Sequence, residues 1–124
     1  MQANRSADTK PELALRSALH RRGLRFRKHA RPLQDLRCTA DVVFPRAQIA
    51  VFVDGCFWHG CECKPARPKA NSAFWRAKIA YNQARDQRND AALAAAGWVV
   101  FRIWEHEDLV PAIERITAAV RAAS

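Results

Sequence analysis

Nowhere among its 124 residues does the chain hold an apolar run approaching the roughly 18 residues of a membrane span, so no membrane partner is expected. Residues 1–10 are polar and lack the apolar stretch of a signal peptide, which points to the cytoplasm. Acidic residues are scarce. Twelve Asp and Glu stand against 21 Lys and Arg, leaving a net charge of +9, and a surface of that sign invites a polyanion. With membranes set aside, the polyanion is nucleic acid. Glycine and proline number only four and six and are not gathered into a linker, and 124 residues are too few for two ordinary cores. Residues 1–124 therefore read as a single domain. Cysteine is also sparse, but three of the four, Cys56, Cys61 and Cys63, fall within eight residues. In the cytoplasm such crowding means thiols or metal ligands rather than disulfides.

Local patterns give the elements. Thr9, Pro11 and Glu12 have the spacing of a capping box with proline at an early helical position, and Leu13, Leu15, Ala18 and Leu19 supply an apolar side. Gly23 stops that helix, residues 24–28 alternate as a short strand with a basic outer face, and residues 29–36 read as a loop. Two Val- and Ile-rich runs, 38–44 and 48–53, flank Pro45-Arg46-Ala47 and predict a central hairpin. Residues 55–70 are too rich in Cys, Pro, Gly and basic side chains for a regular element, but a metal can pin them. Asn71 or Ser72 caps a long helix to about Ala96, Gly97 ends it, and residues 98–104 form the clearest strand. Leu109, Ile113, Ile116 and Val120 place a final helix against the core. Helix, three strands, helix, strand, helix is the order of an α/β or α+β domain with a mixed sheet.

Cys56, Cys61 and Cys63 offer three soft donors to a zinc ion, with His106 or His59 as the fourth ligand, whereas Cys38 sits among apolar residues and reads as a buried small side chain. Asp41 and Asp54 bring hard carboxylate oxygens to the hairpin, which with a backbone carbonyl suit Mg²⁺ and the clamping of phosphate. Phe57 and Trp58 are adjacent large aromatics in a short loop; one of them is free to wedge between base pairs, or both pack around the zinc. On the long helix, Trp75, Ile79, Asn82 and Asp86 recur at intervals of four, three and four and share a face. If that face meets the sheet, Asn82 and Asp86 reach the phosphate site, and Lys78, Arg85 and Arg88 lie nearby to hold a nucleic-acid backbone.

Together these stretches resemble the very short patch repair endonucleases over about residues 1–108. The carriers are Asp8-Thr9-Lys10-Pro11-Glu12, Ala40-Asp41-Val42-Val43, the run from Val51 to His59, Phe74-Trp75 with Lys78, Ile79, Asn82 and Asp86, and Gly97-Trp98 through Trp104-Glu105-His106. The resemblance implies a restriction-endonuclease-like fold of the PD-(D/E)XK type, a mixed central sheet flanked by helices with a structural zinc loop. It implies nicking of one strand of double-stranded DNA on the 5′ side of the thymine of a T·G mismatch. By position, Asp41 and the Val53 carbonyl would hold Mg²⁺, His59 would act on the attacking water, Asp86 and Asn82 would support the imidazole or the water, and Glu12 would order waters around the metal. Zn²⁺ would lie among Cys56, Cys61, Cys63 and His106, which leaves His59 for chemistry. Phe57, Trp58 and Trp75 would wedge beside the mismatch, and Met1 belongs to an N-terminal arm, about residues 1–10, that is shorter here than in the family.

Asp54 departs from the pattern, standing where the best-known member has a histidine near the metal. It can add a direct Mg²⁺ ligand, or face elsewhere because strand neighbours point to opposite sides. Glu12 has a second role open to it, as the capping partner of Thr9. An asymmetric mismatch needs one cut, so a monomer is expected, nucleoid-associated and working alongside a cytosine-5 methyltransferase and mismatch-repair proteins. Two other readings remain: a less specific or structure-selective nickase with the same machinery, and a zinc-stapled DNA-binding module without catalysis.

Overall fold

The computed structural model describes residues 10–54, 72–105 and 107–123. Its elements are α1 (Lys10–Arg21), β1 (Arg27–Ala30), β2 (Ala40–Phe44), β3 (Ile49–Asp54), α2 (Ser72–Ala95), β4 (Val99–Trp104) and α3 (Leu109–Ala123). The strands form one mixed sheet in the order β1-β2-β3-β4. The first three are antiparallel neighbours, and β4 returns parallel to β3 after α2. Parallel neighbours need a crossover, and α2 provides it.

Each face of the sheet is covered, so β3 is buried along its whole length. On one side Leu15 and Leu19 of α1 and Ala112, Ile113 and Ile116 of α3 pack on Val42, Phe44, Ile49, Val51, Val53 and Ile103. On the other, Leu93 of α2 and Trp98 pack on Ala40, Val43, Ala50 and Phe52, with Cys38 buried among them. Cys38 is a free thiol whose pKa burial pushes up, in keeping with its reading as a small core side chain. Among the described residues no helix is long and apolar enough to cross a membrane.

Both expected glycine stops hold, and for one reason. Gly23 and Gly97 have φ of 79° and 89°, and the amide after each reaches back to the last helical turn, Leu24 N to Leu19 O at 3.2 Å and Trp98 N to Leu93 O at 2.9 Å. The residue after each glycine is then folded back into the core.

Two expectations shift. The first strand begins at Arg27 rather than Leu24, because Leu24 is spent closing the helix and the pairing with β2 runs Arg27↔Val43 to Ala30↔Ala40. This carries His29 out of the expected loop and into the sheet. On α1, Leu13 is half exposed while Glu12 and Arg16 are buried. The inward stripe is Glu12, Leu15, Arg16 and Leu19, in which a charged pair one turn apart joins two leucines. The capping role of Thr9 lies outside the described residues. Replacing Gly97 by Ala leaves room for the methyl group, which would meet only Gln48 Oε1 at 3.8 Å, but forces a left-handed alanine. Gly97→Ala is expected to cost about 1–2 kcal/mol, read as a lower urea midpoint with an unchanged slope.

Candidate active site

The antiparallel register Val42↔Val51 sets the start of β2 beside the end of β3. There the Val53 amide donates to Asp41 Oδ2 at 2.6 Å, so the carboxylate is fixed by the neighbouring strand's backbone. Glu12 from α1 and His29 from β1 converge on the same place: one ligand atom from each of Glu12, His29 and Asp41 lies within 4.8 Å of the others. Glu12 is 2% exposed and its Oε1 stands 3.8 Å from both His29 Nε2 and Arg16 Nη1. Burial raises the Asp41 pKa to about 6, against the opposing pull of the Val53 amide and with help from the charge of Glu12. A partly desolvated carboxylate of this kind gains most from a cation.

Beside this group lies a cavity of about 320 Å³ lined by Asp41, Val53, Asp54, Arg85, Asp86 and Arg102, among others. Three members of the long-helix stripe face inward. Ile79 and Asn82 are buried, and the Asp86 side chain is 15% exposed at the cavity. Of Trp75 only the helical backbone is described. Lys78 is exposed, and Arg85 pairs with Asp86 at 3.2 Å across the cavity rim.

Asp54, considered above as a Mg²⁺ ligand, lines the same cavity but is engaged by an arginine. Both its oxygens accept from Arg102 Nη1, at 3.0 and 3.1 Å. The same guanidinium grips Asp90 through Nε and Nη2 at 2.8–3.0 Å, stands 3.8 Å from Asp86, and lies 4.2 Å over the Phe52 ring. The physical reason is parity. Asp54 falls on the side of β3 that carries Ala50 and Phe52 toward α2, whereas Val51 and Val53 face α1 and α3. Burial alone would lower the Arg102 pKa, but the bond from Asp90 and the charges of Asp54, Asp86 and Asp90 raise it above its ordinary value.

The sequence reading missed Arg102, Asp90, Arg16 and His29. An arginine inside the apolar strand Val99–Trp104 was a usable signal, since a charge buried in a sheet requires carboxylate partners. His29 carried none, because its place depends on the register of β1. His59, Cys56, Cys61, Cys63, His106, Phe57, Trp58 and Met1 lie outside the described residues.

If Arg102 neutralises this acidic cluster, Arg102→Met removes the guanidinium that Asp54 and Asp90 share. The variant is expected to lose about 3 kcal/mol or more in urea denaturation, and adding Asp54→Asn to recover part of that loss.

Comparison with known proteins gives the context of this geometry. The family described as DNA mismatch endonuclease Vsr matches residues 1–65. The type II nicking enzyme V.XorIIP of Xanthomonas oryzae pv. oryzae is 50% identical over 108 residues, 86% of this chain and 77% of that protein. The type II nicking enzyme V.NaeI of Lentzea aerocolonigenes is 44% identical over 118 residues, covering 94% and 71%. The DNA mismatch endonuclease Vsr of Escherichia coli is 36% identical over 108 residues, covering 85% and 66%. The chain belongs to the DNA mismatch endonuclease Vsr family, and it is a DNA endonuclease.

Proposed function

We propose that this protein nicks one strand of double-stranded DNA on the 5′ side of the thymine of a T·G mismatch, by Mg²⁺-dependent hydrolysis that leaves a 3′-hydroxyl and a 5′-phosphate. The observation that carries the reading is the convergence of Glu12, His29 and Asp41 at the end of the β2–β3 pair, next to the inward face of α2 that bears Asn82 and Asp86, in a chain of this family. The mixed sheet with helices on both faces agrees with a restriction-endonuclease-like fold.

The donor set fits a divalent cation: a buried carboxylate, a second whose burial raises its pKa, and an imidazole. Asp41 and the Val53 carbonyl are the residues that would hold Mg²⁺, with Glu12 ordering water beside it. Bound there, Mg²⁺ supplies neutralisation of charge on the phosphate oxygens. His59 takes a proton from the attacking water at its imidazole, and Asp86 and Asn82 orient that imidazole or the water. Asp54 serves as counter-ion to Arg102 instead of joining the metal.

Lys78 and Arg85 hold phosphates, while Phe57, Trp58 and Trp75 wedge the stack beside the mismatch and Met1 extends the grip through the N-terminal arm. Zn²⁺ is assigned to Cys56, Cys61, Cys63 and His106. Support comes from the parallel pairing Asp54↔Trp104, which brings β3 and β4 to a common end two residues before Cys56 and two before His106. A single cut suits a monomer acting in the nucleoid, downstream of a cytosine-5 methyltransferase and together with mismatch-repair proteins. The relatives named as nicking enzymes favour a one-strand cut over a double-strand break.

The test uses one end-labelled duplex with a central T·G pair beside its T·A and C·G controls, in Mg²⁺. The wild-type chain is expected to nick only the mismatched duplex, and Asp41→Ala and His59→Ala to lose at least about 100-fold in rate. Equal cutting of the matched duplexes rules out mismatch specificity, and full activity of Asp41→Ala removes the metal assignment.

A further inference from the structure

We propose that His29 is a direct nitrogen ligand of the cation held by Asp41, through Nε2, and that it turns this centre toward a divalent transition ion such as Mn²⁺ in preference to Mg²⁺. The inference rests on the reading of Asp41 and Glu12 as the metal centre and goes beyond it in assigning a third protein donor and a metal preference.

Distance is the first argument. A cation with ligands at about 2.1 Å sets neighbouring donor atoms about 3 Å apart and opposite ones about 4.2 Å apart. His29 Nε2 stands 3.8 Å from Glu12 Oε1, and the three donors of the group span no more than 4.8 Å. Small rotations of two side chains close the remaining gap.

Backbone conformation is the second. His29 has a φ of 50°, left-handed for a non-glycine residue, yet it lies inside β1 between the pairs Lys28↔Val42 and Ala30↔Ala40. That conformation is costly for a residue with a Cβ and persists where the surroundings over-determine it, typically at functional sites. Here it accompanies an imidazole, 27% exposed, that reaches a carboxylate almost wholly withdrawn from solvent. An ion pair between His29 and Glu12 alone would need a protonated ring. A cation between them uses the neutral ring, which is the form that ligates.

Chemistry supplies the preference. Mg²⁺ favours oxygen donors and keeps several waters, whereas imidazole suits the divalent transition ions and Mn²⁺ accepts both. Replacing one oxygen position by nitrogen therefore moves the site along the series away from Mg²⁺. Nothing in the geometry of Asp54 offsets this, because its oxygens are taken by Arg102.

The experiment measures Mn²⁺ and Mg²⁺ binding to the full chain by calorimetry, and reads nitrogen coordination to bound Mn²⁺ by pulsed electron paramagnetic resonance. His29→Asn is the informative variant, since asparagine tolerates the left-handed backbone while removing the imidazole. Glu12→Gln is its control, because it removes the ion pair and keeps the ring. Wild type is expected to bind Mn²⁺ about tenfold or more tightly than Mg²⁺, and to give an imidazole nitrogen signal that Glu12→Gln retains. His29→Asn is expected to weaken Mn²⁺ by about 10- to 100-fold, to change Mg²⁺ by less than about threefold, and to lose the signal. A nitrogen signal that survives in His29→Asn, an equal loss for both ions, or no Mn²⁺ binding by the wild type overturns the inference. Nicking is scored apart. A chain that nicks in Mg²⁺ without nitrogen from His29 refutes this inference alone, and one that binds Mn²⁺ through His29 but leaves DNA intact refutes the proposed function.

Discussion

A hydrogen bond from the Val53 amide to the Asp41 carboxylate ties the sheet to the candidate site. It crosses between adjacent strands at the end where β2 begins and β3 finishes, so it fixes the acid's position to the precision of a strand pairing. The other members of the group depend on that position. Glu12 arrives because α1 packs Leu15 and Leu19 on this side of the sheet, and His29 because β1 pairs with β2 in a register that ends at Ala40. Side chains from α1, β1 and β2 thus meet at one place, where the β2 carboxylate is tied to the backbone of β3.

Electrostatics divides the acids of the site in two. Asp54, Asp86 and Asp90 gather on Arg102, whose guanidinium is sandwiched against Phe52 and satisfied on three sides. Glu12 stands 3.8 Å from both Arg16 Nη1 and His29 Nε2, and Asp41 beside it keeps a raised pKa. The sign of the linkage follows: protonated Asp41 is favoured by the fold, and that stability is lost as pH rises from 3.8 through about 6. A bound cation reverses the balance by stabilising the ionised form. The division also suits a chain of net charge +9 that must admit a phosphate among carboxylates. Arg102 offsets the charge of Asp54, Asp86 and Asp90, acids that would otherwise repel a phosphate, and a cation held at Glu12 and Asp41 would offset those that remain.

Much of this was legible in the chain. Glycines at 23 and 97 marked helix ends because only a left-handed residue lets the chain turn back there. The apolar hairpin and the strand ending at Trp104 were plain from composition, and the three-four spacing of Ile79, Asn82 and Asp86 marked the inward face of α2. What stayed hidden depends on partners distant in sequence. That Asp54 meets an arginine depends on Arg102, 48 residues later, and on which side of β3 each residue occupies. His29 gained its place from strand register, which no local pattern near residue 29 encodes. Leu13 is half exposed and Glu12 buried, the reverse of what their polarity suggests, because Glu12 has charged partners on the inner side.

The central claim is that Asp41 is a desolvated carboxylate held ready for a cation. It is tested most directly by following the Asp41 carboxyl carbon by NMR through a pH titration, first without divalent ions and then with saturating Mg²⁺. The account predicts a metal-free midpoint near 6 that falls well below 5 when Mg²⁺ is bound. A midpoint at the ordinary carboxylate value of about 4 in both titrations, unmoved by Mg²⁺, would contradict it.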